Sequence, residues 1–549
     1  MTTKELAELI FPDITKTIED YEKEYPERDL KEGAKVTRYA PSPTGFMHIG
    51  NFYQVVVNYL LAKQSDGVFF LRNEDTDQKR EIEGAVEYIM HVLEHYKFIP
   101  DECEIKNGET RGNYGPYIQS ERKEIYHAFI KHLISEGKAY PCFLTQEEMD
   151  SIRESQTRDK RRIGIYGRYA KYRNLPIEEA AERVKNGEPF VIRLKSEGNF
   201  NTKFKFEDLA FGTMEMPEND IDTVIMKSSN QLPTYHFAHL VDDHLMRTTH
   251  VIRGQEWVSS VPTHYELFKM FGFKMPKYVH TPLILKKDGD KIRKISKRLD
   301  PEARMTYYEE KGYPIYSVIE AIMTIANSNY EQWREGHPDA PFTEFEFSPK
   351  KMSASGALFD LDKLDNISKN YLSKLKATEV FDLLDTWSKE YDKEFNELIN
   401  KDKEYTTNIL NIEREQKKPR KDYAYMADVK NYIWYMYDEL FTNPEYQFDE
   451  KFSKDDINEV LNTYFESYYD ENDDKDTWFN KMKDMAEKLG YETNMKEYKE
   501  HPEAKKGSIA DVSNIIRVGV TSLSQTPDLY VILKLLGKDR IKNRLDMLK

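Results

Sequence analysis

His48 and Asn51, three apart in His48-Ile49-Gly50-Asn51, and Lys294 and Lys297, three apart in Lys294-Ile295-Ser296-Lys297-Arg298, have types and spacings suited to a polyphosphate. The first pair shares one face of a helical turn. Ahead of it, a β-prone run at 36–39 breaks at Pro41, Pro43 and Gly45, so the stretch reads as strand, tight loop and helix start. Such a junction offers backbone N–H groups and the positive end of a helix dipole to an anion. Two lysines three apart in a polar loop can reach one phosphate from a mobile segment. Each pair also has a structural alternative: a histidine that only caps or packs, and a lysine-rich loop that is only solvated.

The elements that must position these groups follow from periodicity. Tyr53, Val56, Val57, Leu60 and Leu61 predict a helix over 52–63. A second apolar run at 67–72 ends in Asn73-Glu74-Asp75-Thr76-Asp77, the pattern of a buried parallel strand with a polar C-terminal edge. Ile82, Ala85, Val86, Ile89, Val92 and Leu93 then form a helix face, and the order strand, helix, strand, helix predicts a doubly wound nucleotide fold. Residues 1–33 read as an amphipathic helical leader. A helix over 121–135 stops at Gly137, and 142–221 mixes short helices with hairpin-like runs such as 190–194. The nucleotide-fold pattern resumes at 222–227, 232–244 and 250–257, with a helix over 262–271, so the intervening segment reads as an insert between two halves of one sheet. Beyond the loop at 286–291 the pattern is helical to the end, apart from an acidic surface loop at 469–476.

A chain of 549 residues exceeds one core, and 39% hydrophobic with 32% charged residues reads as soluble and globular. No uncharged run reaches membrane-spanning length, and Met1-Thr2-Thr3-Lys4-Glu5 lacks the features of a signal peptide, so a cytoplasmic location is expected. Cys103 and Cys142 form no CxxC pair and support neither a disulfide framework nor a cysteine-based zinc site. The net charge of -16 excludes a protein that coats nucleic acid indiscriminately, though not a local basic surface. One candidate is the cluster Arg158, Lys160, Arg161, Arg162, Arg168, Lys171 and Arg173, interleaved with Tyr166, Tyr169 and Tyr172 and opposed in sequence only by Asp159. It reads equally as an RNA-backbone contact or a solvated face.

The paired motifs, in this order and flanking a split α/β pattern, resemble the HIGH and KMSKS signatures of class I aminoacyl-tRNA synthetases. Arg38-Tyr-Ala-Pro-Ser-Pro-Thr-Gly, Leu71-Arg-Asn-Glu-Asp-Thr-Asp, Pro233-Thr-Tyr-His-Phe-Ala, Val241-Asp-Asp-His and Val251-Ile-Arg-Gly-Gln-Glu-Trp narrow the resemblance to the bacterial-type glutamyl enzymes. It is close over 35–375, and Ile516-Arg-Val-Gly-Val and Leu533-Lys-Leu-Leu-Gly continue it near the C-terminus.

The resemblance implies a Rossmann-like α/β catalytic domain split by an α+β insert and followed by an all-α anticodon-binding region. The expected segments are a leader at 1–33, catalytic halves at 34–114 and 222–285, an insert at 115–221 contacting the tRNA acceptor end, a KMSKS and stem-contact region at 286–375, and the anticodon region at 376–549. By the same resemblance His48, Lys294 and Lys297 are catalytic; Gly45, Gly50, Asn51, Trp257 and Ser296 join them around ATP; and Arg38, Ala40, Ser42, Glu74, Tyr235, His239 and Arg253 hold glutamate. Arg161, Arg162, Arg168, Lys171 and Arg173 are the expected tRNA contacts. The implied reactants are L-glutamate, ATP with Mg²⁺ on its phosphates, and tRNA(Glu), acted on by a monomer that associates with no membrane. Asn51 replaces the last histidine of HIGH, which places more of the phosphate contact on His48. Many relatives hold zinc in the insert through a cysteine cluster; with Cys142 alone there, no structural zinc is expected.

Three alternatives stand beside this reading. A glutaminyl enzyme, or a glutamyl enzyme that also charges tRNA(Gln), would share much of the pocket. A small-molecule nucleotidyltransferase with a similar His-x-Gly signature would end after one domain, whereas this chain continues far past Lys297. A silent RNA-binding relative would not need His48, Lys294 and Lys297. For Arg38 and Arg253 the structural alternative is a salt bridge to a carboxylate such as Asp75 or Glu256.

Overall fold

The computed structural model describes residues 1–105 and 109–548. Two compact units result: residues 1–307 with 319–360, and residues 308–318 with 361–549.

The first unit is built on a six-stranded sheet in the spatial order Val68–Leu71, Val36–Tyr39, His250–Gly254, Lys277–Thr281, Lys203–Asp208 and Gly212–Pro217. The first five strands pair in parallel and the last closes the edge as an antiparallel hairpin. Val36–Tyr39 is buried along its whole length, which is why it reads as an unbroken run instead of an alternating one. The chain leaves this strand for a neighbour on one side and returns much later to its other side. The C-terminal ends of Val36–Tyr39 and His250–Gly254 therefore border a topological switch point, where open α/β sheets form their ligand crevice. The helix Ile49–Lys63 follows directly and buries Phe52, Tyr53, Val56, Val57, Leu60 and Leu61.

Two pairings differ from the sequence-based expectation. The strand Val224–Met226, expected to resume the nucleotide sheet, joins Ala139–Cys142 and Val191–Leu194 in a separate three-stranded sheet. The hairpin Lys203–Asp208 and Gly212–Pro217, within the expected insert, instead extends the main sheet through Tyr278 and Asp208. Periodicity marks a strand without naming its partner, because pairing is settled by the face buried on a distant neighbour. The leader forms helices Thr3–Ile10 and Ile18–Glu24, each opened by a capping box, with Leu6, Ala7, Phe11 and Tyr21 in the core.

Beneath the crevice the two halves of the fold are tied by buried charge. Asp243, on the helix Tyr235–Leu245, accepts from Arg38 Nε at 3.0 Å and Arg72 Nη1 at 2.9 Å, so one carboxylate binds side chains from both early strands. Arg72 Nη2 donates to Glu74 at 2.8 Å, and neighbouring Asp242 accepts from Arg122 Nε at 2.7 Å and Tyr126 Oη at 2.8 Å. Burial alone would raise the Asp243 pKa, but Arg38 and Arg72 hold it well below the usual carboxylate range.

Among the described residues the second unit is all helical, from Ala377–Tyr391 to Leu529–Asp546, around a core including Leu384, Phe395, Ile399, Val429, Ile516 and Ile532. The last helix is interrupted at Gly537, whose φ of 70° lies in the left-handed region that glycine adopts without steric cost.

Replacing Arg72 by Ala removes the ion-pair partner of Glu74 and one of the two cations beside each of Asp243 and Asp242. The expected outcome is a loss of about 3–5 kcal/mol, read as a lowered urea midpoint, against less than about 1 kcal/mol for the exposed pair partner Lys31→Ala.

Candidate active site

The crevice has two connected halves. The first, of about 550 Å³, is lined by Arg38, Ala40, Ser42, Glu74, Tyr235 and Arg253, so six of the seven residues expected at the amino acid converge. Arg38 spends Nε on Asp243 and Nη1 on the Ile252 carbonyl, while among the described residues its Nη2 donates to no protein atom. Glu74 is buried, and desolvation raises its pKa against the pull of Arg72 and Arg38. Arg253 Nη1 donates to Tyr235 Oη at 3.3 Å; since that oxygen accepts, its own proton remains available to a ligand. The buried part of the pocket thus offers the guanidiniums of Arg38 and Arg253, the Glu74 carboxylate and the nearby Tyr235 hydroxyl, while Asp77, Arg80, Lys227 and Glu256 line its more open side. This set can take both carboxylates and the ammonium of an acidic amino acid.

His239 does not line the pocket. It lies fully buried behind Tyr235, with Nε2 2.7 Å from Tyr278 Oη and Nδ1 2.7 Å from Asp243. Burial, only partly countered by Asp243, lowers its pKa to about 3, so it acts as a neutral support. Trp257, whose flat ring was expected to border adenine or the substrate pocket, lines the amino-acid half with its ring centroid 4.4 Å from that of Tyr235. Asn51 too borders this half.

The second half, of about 410 Å³, is lined by His48, Gly50, Lys294, Ser296 and Lys297. The structure gives His48 the capping role and leaves its other ring nitrogen without a protein partner among the described residues. As N-cap of Ile49–Lys63, its Nδ1 accepts from the backbone of Gly50 at 3.0 Å and Asn51 at 3.2 Å, and the Asn51 side chain accepts from His48 N. Capping through Nδ1 fixes the proton on Nε2, so a polar donor remains for a phosphate. Burial, and then Lys297 and Lys294, lower the pKa to about 3, which makes that donor a neutral imidazole. Asn51 therefore serves the cap. Gly50 is required because a Cβ there would lie 2.9 Å from His48 Cε1, a closer constraint than the room for nucleotide expected from sequence.

The lysine loop follows the hairpin of Ile284–Asp288 with Lys291–Lys294. Lys297 Nζ donates to the Phe46 carbonyl at 3.1 Å and lies 3.6 Å from where a Cβ on Gly45 would stand, so the two signatures meet directly. Asp300 anchors the loop, accepting from Ser296 N at 2.7 Å and from Arg293 at 2.7 and 2.8 Å. Among the described residues neither Lys294 nor Lys297 forms an ion pair, and both charges remain for a ligand. Gln54, Gly254 and Glu256 border both halves and were not singled out from sequence. Gln54 lies three residues after Asn51 on the same helix, so helical spacing carried the signal.

The basic cluster of the insert is largely answered by carboxylates that are distant in sequence. Arg162 forms a two-pronged pair with Asp220, Arg173 pairs with buried Asp222, Lys171 with Glu148 and Arg168 with Asp159. Only Arg161 of the five has no ion pair among the described residues, which weakens the case for an open RNA-binding patch here. Cys142 Sγ accepts from Arg193 Nε at 3.3 Å, and a cation at that position does not suit a zinc ligand set. In the helical unit a cavity of about 860 Å³ is lined by Arg420, Asn431, Tyr432, Tyr435, Asn514 and Arg517.

Comparison with known proteins agrees with this geometry. The family profile described as tRNA synthetases class I (E and Q), catalytic domain, matches residues 35–366. The chain is 47% identical over 548 residues to a glutamate–tRNA ligase of Clostridium perfringens, covering 99% of this chain and all of that protein. It is 46% identical to a glutamate–tRNA ligase of Acetivibrio thermocellus over the full length of both. A crystal structure of a glutamate tRNA ligase from Elizabethkingia meningosepticum in complex with its amino acid superposes with a TM-score of 0.75 at 26% identity, covering 94% of this chain and 99% of that one.

The double role of His48 is separable. His48→Asn keeps an N-cap acceptor and should hold stability within about 1 kcal/mol of the parent, while losing the Nε2 donor should slow adenylate formation roughly 100-fold. His48→Ala should lose both, as read by urea unfolding and pyrophosphate exchange.

Proposed function

The chain belongs to the class I tRNA synthetases of the E and Q family, and we propose that its crevice joins L-glutamate to tRNA(Glu) through a glutamyl-adenylate. The observation that carries this reading is the single crevice in which a pocket with buried Arg38, Arg253 and Glu74 opens, past Gln54, Gly254 and Glu256, onto a compartment with two lysines that form no ion pair among the described residues.

In the first step the glutamate α-carboxylate attacks the α-phosphorus of ATP, which enters with Mg²⁺ on its phosphates, and pyrophosphate leaves. In-line displacement at phosphorus asks for alignment and charge neutralisation more than for a protein base. His48 donates a neutral hydrogen bond to a phosphate oxygen, while Lys294 and Lys297 neutralise the charge that grows on the leaving pyrophosphate. Arg38, Arg253 and Tyr235 fix the carboxylates, and Glu74 takes the ammonium. In the second step the acyl group passes to the terminal ribose of the tRNA. Trp257 and Ser42 border the amino acid rather than the nucleotide.

The family profile alone spans glutamate and glutamine enzymes. Arg253 favours glutamate: a neutral amide before a buried guanidinium would leave its charge unmatched. In the helical unit, the cavity lined by Arg517, Asn431, Asn514 and Tyr432, where Arg420 is paired with Asp422, offers one cationic side chain, amides and a flat ring to an unstacked base, which supports anticodon reading there. The inserted segment faces the acceptor end with Arg161 as its one unpaired arginine among the five proposed. The enzyme works in the cytoplasm, where its tRNA substrate is; among the described residues no helix is long and apolar enough to cross a membrane.

Pyrophosphate exchange with glutamate and with glutamine, each with and without tRNA, tests the assignment: exchange is expected with glutamate and tRNA present. Charging assays on separate tRNA(Glu) and tRNA(Gln) then decide whether the second is also a substrate. Lys297→Ala should slow adenylate formation roughly 100-fold or more while changing the KM for glutamate little. Equal losses in both quantities would remove Lys297 from the transition state.

A further inference from the structure

Arg253 is held in an unusual way for a buried arginine. Arg38, Arg72 and Arg122 each answer a carboxylate, whereas Arg253, 4% exposed, forms no ion pair among the described residues. Its Nε donates to His280 Nε2 at 2.9 Å, Nη1 approaches His264 Nδ1 at 3.1 Å, and Nη2 donates to the Trp257 carbonyl at 3.3 Å. The face of Tyr278 lies 4.8 Å from the guanidinium carbon.

A guanidinium can only donate, so each of those imidazole nitrogens must present a lone pair, and the ring proton must sit on the other nitrogen. In His280 that proton lies on Nδ1, 2.7 Å from Asp208 Oδ2. In His264 it lies on Nε2, 3.0 Å from His236 Nδ1. Asp208 is itself fixed: Oδ1 accepts from the backbone of Ala210 and Phe211 at 2.9 Å each, and Oδ2 accepts from the backbone of His280 at 3.1 Å. It ends the strand Lys203–Asp208, in the hairpin that leaves the inserted segment to join the main sheet. Burial lowers His280 despite Asp208, and burial together with the neighbouring His239 and Arg253 lowers His264.

We infer that Asp208, His280 and His264 are positioning residues that hold Arg253 through neutral acceptors, leaving its charge uncompensated for the substrate carboxylate and so selecting glutamate over glutamine. A carboxylate at position 280 would hold the guanidinium as firmly but would neutralise it. Aspartate is present, yet one imidazole further away: it sets the tautomer of His280 without pairing with Arg253. The inserted hairpin thereby takes part in amino-acid selection from a strand that does not line the pocket. This inference rests on the proposal that Arg253 faces the side-chain (γ) carboxylate of the substrate, the one group by which glutamate differs from glutamine.

The test is steady-state glutamate activation by the full-length enzyme, followed as pyrophosphate exchange in the presence of tRNA(Glu), with urea midpoints recorded for every variant. A hydrogen bond to a charged group is worth about 1.5–3 kcal/mol, so His280→Ala should raise the glutamate KM about 10- to 100-fold with little change in kcat or in the KM for ATP. His280→Gln restores a neutral acceptor and should recover most of that loss. His280→Glu should lower the ratio of kcat/KM for glutamate over that for glutamine, since it satisfies Arg253 internally.

Asp208→Asn provides an independent arm. The backbone donors at Oδ1 hold the amide oxygen there and turn the amide nitrogen towards His280 Nδ1, which moves the ring proton to Nε2, against Arg253. Its glutamate KM should rise as in His280→Ala. An unchanged glutamate KM in folded Asp208→Asn, or parallel losses in kcat and both KM values in His280→Ala, would overturn the inference. Arg253→Ala separates the two levels: if it leaves the glutamate KM unchanged, the assignment of Arg253 to the substrate carboxylate fails instead.

Discussion

Asp243 is the constraint on which the active site depends. It is fully buried and takes Arg38 from the first strand and Arg72 from the second onto one carboxylate. The residues it joins are 205 and 171 positions away in the chain, so the split halves of the catalytic fold are locked together at the floor of the crevice. Desolvating three charges costs several kcal/mol each, and the arrangement persists because nearly every donor is answered. The floor is thereby rigid and electrically balanced. What projects above it, the free Nη2 of Arg38 and the guanidinium of Arg253, remains for a substrate.

The two ends of the crevice solve opposite electrostatic problems. At the amino-acid end the protein withholds carboxylates from Arg253 and supports it with imidazoles, so that positive charge is preserved. At the other end, proposed for the phosphates, Lys294 and Lys297 carry charge on a loop pinned by Asp300, and His48 is a neutral imidazole whose tautomer is fixed by the helix it caps. Capping and the proposed phosphate contact are compatible uses of one ring: the cap occupies Nδ1 and leaves the proton on Nε2.

Where the structure departs from what the sequence suggested, one cause recurs. The arginines and lysines of the insert read as a basic patch because their partners, Glu148, Asp220 and Asp222, lie elsewhere in the chain. Likewise His239, beside Tyr235 on a helix turn, looked like a pocket residue, yet its direction from the helix takes it behind the pocket. Trp257 follows Arg253 by four residues, and the short helix there turns its ring onto Tyr235, which decides between the two places its type allowed.

By itself the sequence determined the local facts: the strand at Val36–Tyr39, the helix that His48 caps, the buried strand Val68–Leu71 that leads to Glu74, and the two signatures whose order marks the family. These depend on periodicity, turn chemistry and residue type, all of which act over a few positions. Only the tertiary structure decided which charges cancel and which survive. A guanidinium's availability is set by what stands opposite it, and for Arg38, Arg253 and the insert's arginines that neighbour comes from residues tens to hundreds of positions away. Asp208 is the sharpest instance: nothing in its local sequence distinguishes it, and it acquires a role because its strand ends beside His280.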